Sequence, residues 1–228
     1  MSAELEMLEF EIKNCQAMDK CRFYKEWCEL EVKLYGTSGV IPPQWGYWFK
    51  NRMPCTQEKY YTTFKFNPNV AGSNAKIVFI SMRPTTHPFP TKADVMFGRI
   101  LTELGLAREV YTWKKNVFVL YESVFVTDMI KCRGIAGNHP KSLSEMEQQS
   151  KTCVEFFKKE LQIVKKIVGE KLVAIALGND AYNILQELQG KSEFSNILKA
   201  TFKISHSSRW RSFSASKERL KKLLEKIK

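Results

Sequence analysis

Six cysteines stand in a chain of 228 residues, and three of them, Cys15, Cys21 and Cys28, form a C-x5-C-x6-C array near its start. Cys55, Cys132 and Cys153 follow. Thiolates ligate zinc and iron–sulfur clusters, although compact sites favour closer pairs. Taken alone, the early cysteines read more readily as buried thiols on a helix face. Three polar stretches carry the other reactive groups, each directly after an apolar run. They are Arg83 to Thr86, Thr127 to Arg133, and Ser205 to Trp210. His87 and His139 sit in no metal-ligand spacing and read as loop residues.

For these stretches to meet, the runs ahead of them must be neighbouring strands. Ile77, Val78, Phe79 and Ile80 lack polar alternation, which suits a strand covered on both faces. Pro84 cannot donate to a ladder and biases Arg83 toward extended geometry, so the chain leaves the sheet there and a site is expected to start at Ser81 to Thr86. A helix is expected over Asp94 to Leu106, stopped by Gly105, then a strand over Ser123 to Thr127. Ser142 or Ser144 caps a long helix through Cys153, Phe156, Phe157, Leu161, Val164 and Ile167. Leu172 to Leu177 reads as a strand and Ala181 to Leu188 as a helix. Phe202 to Ile204 reads as a short strand, and Lys217 to Lys228 as a closing helix. This alternation predicts an α/β fold over residues 73–228, doubly wound in α/β/α layers around a four-stranded, mainly parallel sheet. Ligands bind at the carboxyl edge of such sheets, so the three stretches should share one edge.

Residues 1–72 read as an extension packing on that domain. Ser2 to Tyr35 forms one or two helices closed by Gly36. The stretch 36–72 interleaves Trp45, Tyr47, Trp48, Tyr60 and Tyr61 with Lys50, Arg52 and Lys59. Such a mixture stacks on bases and tracks phosphates, or packs its rings against the main domain. Thr62 to Phe66 reads as a short edge strand.

The formal charge of +12 and pI near 9.4 favour a polyanionic partner, nucleic acid before membrane. No apolar run reaches the roughly 18 residues of a membrane span, and the start MSAELEMLEFEIK is acidic and apolar rather than signal-like. A cytoplasmic monomer without a disulfide framework is the expectation.

VFVTDMIKCRG, a long helix carrying a cysteine near its start, KLVAIALGNDAYNIL and ISHSSRW together resemble the uracil-DNA glycosylase superfamily. The likeness is closest to the iron–sulfur branch of archaea and thermophilic bacteria, and it covers Lys76 to Phe213. It implies a DNA-repair enzyme of base excision, a hydrolase that flips uracil or another deaminated base out of DNA and cleaves its N-glycosidic bond. Asp128 stands where the family has an asparagine reading the base, and His206 where a histidine steadies charge on the leaving base; these are the implied catalytic pair. Arg83, Pro84, Thr85, Phe89, Asp128 and Ser207 are the implied substrate-binding residues, with Phe89 stacking on the flipped base or simply anchoring its loop. Ser208, Arg209, Trp210 and Arg211 are the implied DNA contacts, Trp210 filling the gap left by the flipped nucleotide. Cys15, Cys21, Cys132 and Cys153 are the implied ligands of a [4Fe-4S] cluster, with Cys28 able to replace Cys15 or Cys21. The sequence departs from the family at Met82 and Arg83, where an acidic or amide group would position water. That departure keeps open a glycosylase-fold protein that binds DNA or a modified nucleotide without cutting. A cluster-bearing interaction protein is a third possibility.

Overall fold

The computed structural model describes residues 3–13, 15, 21–35, 63–66, 77–83, 92–112, 115–120, 124–132 and 137–227. Two helices, α1 (Ala3–Lys13) and α2 (Arg22–Tyr35), precede the strand β1 (Thr63–Phe66). There follow β2 (Ile77–Ser81), α3 (Lys92–Glu103), β3 (Ala107–Thr112), β4 (Lys115–Leu120) and β5 (Val124–Asp128). The chain continues through α4 (Leu143–Val168), β6 (Leu172–Leu177), α5 (Asn179–Gln189), α6 (Ser192–Ser195), β7 (Leu198–Ile204) and α7 (Phe213–Ile227).

The main sheet has four strands in the order β5-β2-β6-β7, and all three pairings are parallel. Period-two alternation divides its side chains between two cores. Val78, Ile80, Phe125, Ala174 and Ala176 meet Phe157, Leu161, Ile184 and Leu185 of α4 and α5. Ile77, Phe79, Val124, Val126, Ile175 and Leu177 meet Phe97, Ile100 and Leu101 of α3 and Leu220 of α7. Burial on both faces explains why these strands show no polar alternation. The architecture is the expected doubly wound α/β fold.

The differences lie at element ends and in a second sheet. The third helix starts two residues before Asp94 and gives way at Leu104 to a turn with Gly105 at φ +70°. The last strand begins at Leu198 and the last helix at Phe213, both ahead of their expected starts. β1, β4 and β3 form a separate three-stranded sheet, with β1 at its edge as expected for Thr62 to Phe66.

Ser142, not Ser144, caps α4 and accepts a bond from Glu145 N at 3.2 Å. The helix is interrupted at Ser150, whose backbone is extended, and Ser150 Oγ accepts from Cys153 N at 3.2 Å. That hydroxyl recaps the second half of α4 and sets Cys153 in its first turn. The apolar face of α1, Leu5, Leu8 and Ile12, is buried, and α1 packs on α4 with Lys159 and Glu11 paired at 2.8 Å across the join. Among the described residues no helix is long and apolar enough to cross a membrane.

Candidate active site

The order β5-β2-β6-β7 reverses direction at β2, because the chain goes from β2 outward to β5 and then returns to β6 on the other side. The crevice beyond the carboxyl ends at such a reversal is the usual ligand site of open α/β sheets. The ends of β5 and β6 are two strand spacings apart, roughly 10 Å, with the end of β2 between them.

Parallel register pairs Ser81 with Asp128, the last residues of β2 and β5. Ser81 Oγ accordingly donates to Asp128 Oδ1, and both side chains are buried. The ladder runs past the strands, with Met129 N donating to Ser81 O and Ile130 N to Met82 O, each at 2.9 Å. Asp128 is therefore fixed by backbone on both sides and by a hydroxyl. Ser81 stands at the head of the stretch expected to open the site, but the sequence gives no hint of its partner, which only the register of β2 and β5 supplies.

Thr127, one residue earlier, faces the opposite side of the sheet and meets α4. Its Oγ1 lies 2.7 Å from Glu160 Oε2 and 2.9 Å from Lys131 Nζ. Lys131 Nζ also donates to Glu160 Oε2 and to the carbonyl of Asp128, both at 2.6 Å. Both charged side chains are 1% exposed. A fully buried ion pair thus grips the main chain of Asp128 from below. Its sequence signal is a glutamate on the apolar stripe of α4 between Phe157 and Leu161.

On the far side of β6, His206 follows β7 and lies against Gly178 at the end of β6; a Cβ at Gly178 would sit 3.7 Å from that of His206. Gly178 has φ +109° and donates its N–H to Ile204 O at 2.9 Å, which ties the two strand ends together. Gly178→Ala is expected to destabilise the fold by about 1–3 kcal/mol through backbone strain, measurable by urea unfolding.

Residues Ser207–Arg209 form a single 3₁₀ turn, with Arg209 N donating to His206 O at 2.9 Å. Arg209 and Arg211 are exposed, whereas Ser207 is 1% exposed. Trp210 requires a correction: its indole is buried, edge-on to Phe97 at 5.6 Å, and its Nε1 donates to Ser205 O at 2.8 Å. It anchors the loop to α3 instead of standing out as a wedge, because burying the ring and satisfying its N–H both favour the interior.

Arg83, expected to touch substrate, is likewise turned inward and buried. Its Nε donates to Cys132 O at 2.9 Å, and Nη1 donates to Glu26 Oε2 at 2.9 Å and Asn138 O at 3.1 Å. Nη2 reaches Phe23 O at 3.3 Å, and the guanidinium lies 4.9 Å from the Phe23 ring centre. Pro84, Thr85 and Phe89 lie outside the described residues, as does Cys55. Of Ser208, only the backbone in the 3₁₀ turn is described.

The cysteines converge beside Arg83. Cys21, Cys132 and Cys153 are buried in one apolar cluster with Phe23 and Met129. The hydrogen bond with Cys153 draws the Cys21 thiol down to about 5, against the opposing effect of burial. The same bond, with burial, pushes Cys153 well above the ordinary thiol range. Cys132 is raised, first by burial and then by the negative charge of Cys21, with Cys15 and Cys28 contributing and Arg83 opposing. All five described cysteines are free thiols. Among the described residues no group of three or more His, Cys, Asp or Glu side chains is arranged to hold a metal ion. As a donor set, several thiols in an apolar pocket suit iron and sulfur, and a four-iron cluster spreads its thiolates wider than one ion does.

The fold is a doubly wound α/β domain with a buried acid–hydroxyl pair at its strand-order reversal and a histidine just after its edge strand β7. A family model described as the Uracil DNA glycosylase superfamily matches residues 68–228, and the chain belongs to that superfamily. Searches of curated proteins and of solved structures gave no match.

Proposed function

We propose that the protein is a DNA glycosylase that draws a deaminated base from the duplex and hydrolyses its N-glycosidic bond. The observation that carries the reading is the buried Asp128–Ser81 pair at the strand-order reversal of a superfamily domain. An ionised carboxylate has about four acceptor positions, and Ser81 uses one. Asp128 then orients water and stabilises the positive charge that develops on the sugar as the C–N bond breaks. Water oxygen bonds to the anomeric carbon, one water proton leaves, and the base departs with the bonding pair and takes up a proton. His206 supports the negative charge on that base, and Arg209 with Arg211 meets phosphates. Single-turnover assays on uracil, hypoxanthine and xanthine duplexes test the reading; cleavage no greater than in an enzyme-free control refutes it.

A second reading is favoured by Met82 and Arg83, the first buried in the core and the second bound to backbone and Glu26. Neither supplies the water-positioning group found at this place in the superfamily, which suits a protein that binds DNA without cutting. Salt-dependent binding with no base release distinguishes it.

Cys15, Cys21, Cys132 and Cys153 are the residues that would hold a [4Fe-4S] cluster, with Cys28 as an alternate. Such a cluster would brace the N-terminal helices against the domain. Protein purified without oxygen is expected to show broad visible absorbance, abolished in Cys132→Ser; a colourless, iron-free wild type would refute this.

A further inference from the structure

The helix α2 lies outside the matched residues 68–228, yet Arg83 fastens it to the end of β2. The same guanidinium bonds the carbonyls of Cys132 and Asn138, in the segment that follows β5. One side chain therefore fixes three pieces of chain: α2, the exit of β2 carrying Ser81, and the segment continuing from Asp128. An open cleft of about 490 Å³ lies beside this junction, lined by Arg22, Lys25, Glu26, Glu29 and Asn138.

The charges in the cleft are unequally committed. Glu26 is paired with Arg83, so its carboxylate is neutralised at the floor. Arg22 and Lys25 are exposed, and among the described residues neither has an ion-pair partner. Glu29, also exposed, lines the same cleft further along α2. An exposed guanidinium, an ammonium and an amide converging on one cleft are the groups that bind phosphate oxygens in protein–DNA contacts.

We infer that this cleft is a second DNA-backbone contact, a phosphate seat on α2 that Arg83 holds in register with the Ser81–Asp128 edge. The inference rests on the reading that the protein acts on DNA. Arg83 is here a positioning residue: it has given up the place of a water-orienting group and instead makes the N-terminal helix part of the DNA-facing surface. The net excess of positive charge over the whole chain, +12, is consistent with a long phosphate track.

The test is fluorescence anisotropy with an undamaged duplex over a range of salt, which needs no cleavage. Arg22→Ser/Lys25→Ser is expected to reduce the slope of log K against log salt by roughly two. Arg83→Met is expected to reduce the slope similarly, and Glu26→Met, which breaks the same tie while removing an anion from the cleft, is expected to reduce it too, so that lost positioning is told apart from lost positive charge. The triple variant should lose no more than the double. Arg83 acting only as a core brace would lower thermal stability without moving the slope. An unchanged slope in Arg22→Ser/Lys25→Ser overturns the inference, as does wild-type binding that ignores salt. Salt-dependent binding with the expected slopes but no base release would sink base excision and leave the phosphate seat standing.

Discussion

Asp128→Ala is expected to slow base release by roughly 10²–10³-fold in single-turnover assays, the usual loss when one preorganised electrostatic partner of a transition state is removed. Ser81 and the backbone ladder hold the carboxylate rigidly, so little reorganisation is needed as charge develops on the sugar. Asp128→Asn separates the two roles this position can play. An amide keeps an acceptor for Ser81 and the shape of the side chain but not the charge. If the carboxylate stabilises the sugar cation, the Asp128→Asn variant is no faster than Asp128→Ala; recovery of activity on uracil would reassign the residue to base reading. Far-UV circular dichroism should be unchanged in both variants, and full activity in Asp128→Ala would remove Asp128 from the chemistry.

The second large effect concerns stability. Lys131→Met removes the cation from a pair in which both side chains are 1% exposed, stranding Glu160 in the core. Breaking such a pair typically costs about 3–5 kcal/mol. Removing both charges, in Lys131→Met/Glu160→Leu, should restore most of that loss, because the desolvation penalty disappears with the ions. The Lys131 bond to the Asp128 carbonyl is gone in both variants, so the double variant isolates its positioning effect: a stable protein with slowed base release. Urea unfolding checks the energies. A single variant losing under about 1 kcal/mol would mean that water reaches Glu160.

The main sheet was legible because its strands are buried on both faces. Ile77 to Ile80 and Leu172 to Leu177 have no polar alternation, and a helix pattern separates each strand from the next. The small sheet was harder. The residues between β3 and β4, Trp113 and Lys114, carry none of the Asn-Gly or Gly-rich signals that mark a tight hairpin, so VFVLYESVFVTDMI read as one stretch around a single strand. Asp128 was legible as an acid at a strand end. Arg83 and Trp210 were not, since their roles depend on partners distant in sequence: Glu26 lies 57 positions from Arg83, and Phe97 packs on Trp210 across the domain. An arginine or tryptophan beside an expected DNA face reads as a contact until its burial is known. Glu160 was not legible either: a charge inside an apolar stripe is a signal of a buried partner, but only the fold brings it to Lys131.

The seating of α1 and α2 has a consequence for biosynthesis. Leu5, Leu8, Ile12 and Phe23 are covered largely by α4, whose last residue is Val168. At roughly 5–20 residues per second, a ribosome needs on the order of ten seconds to deliver that cover after the first helix has emerged. Through that interval these apolar faces have no native surface to dock on, so nascent chains are expected to lean on holdase chaperones until the late helix arrives.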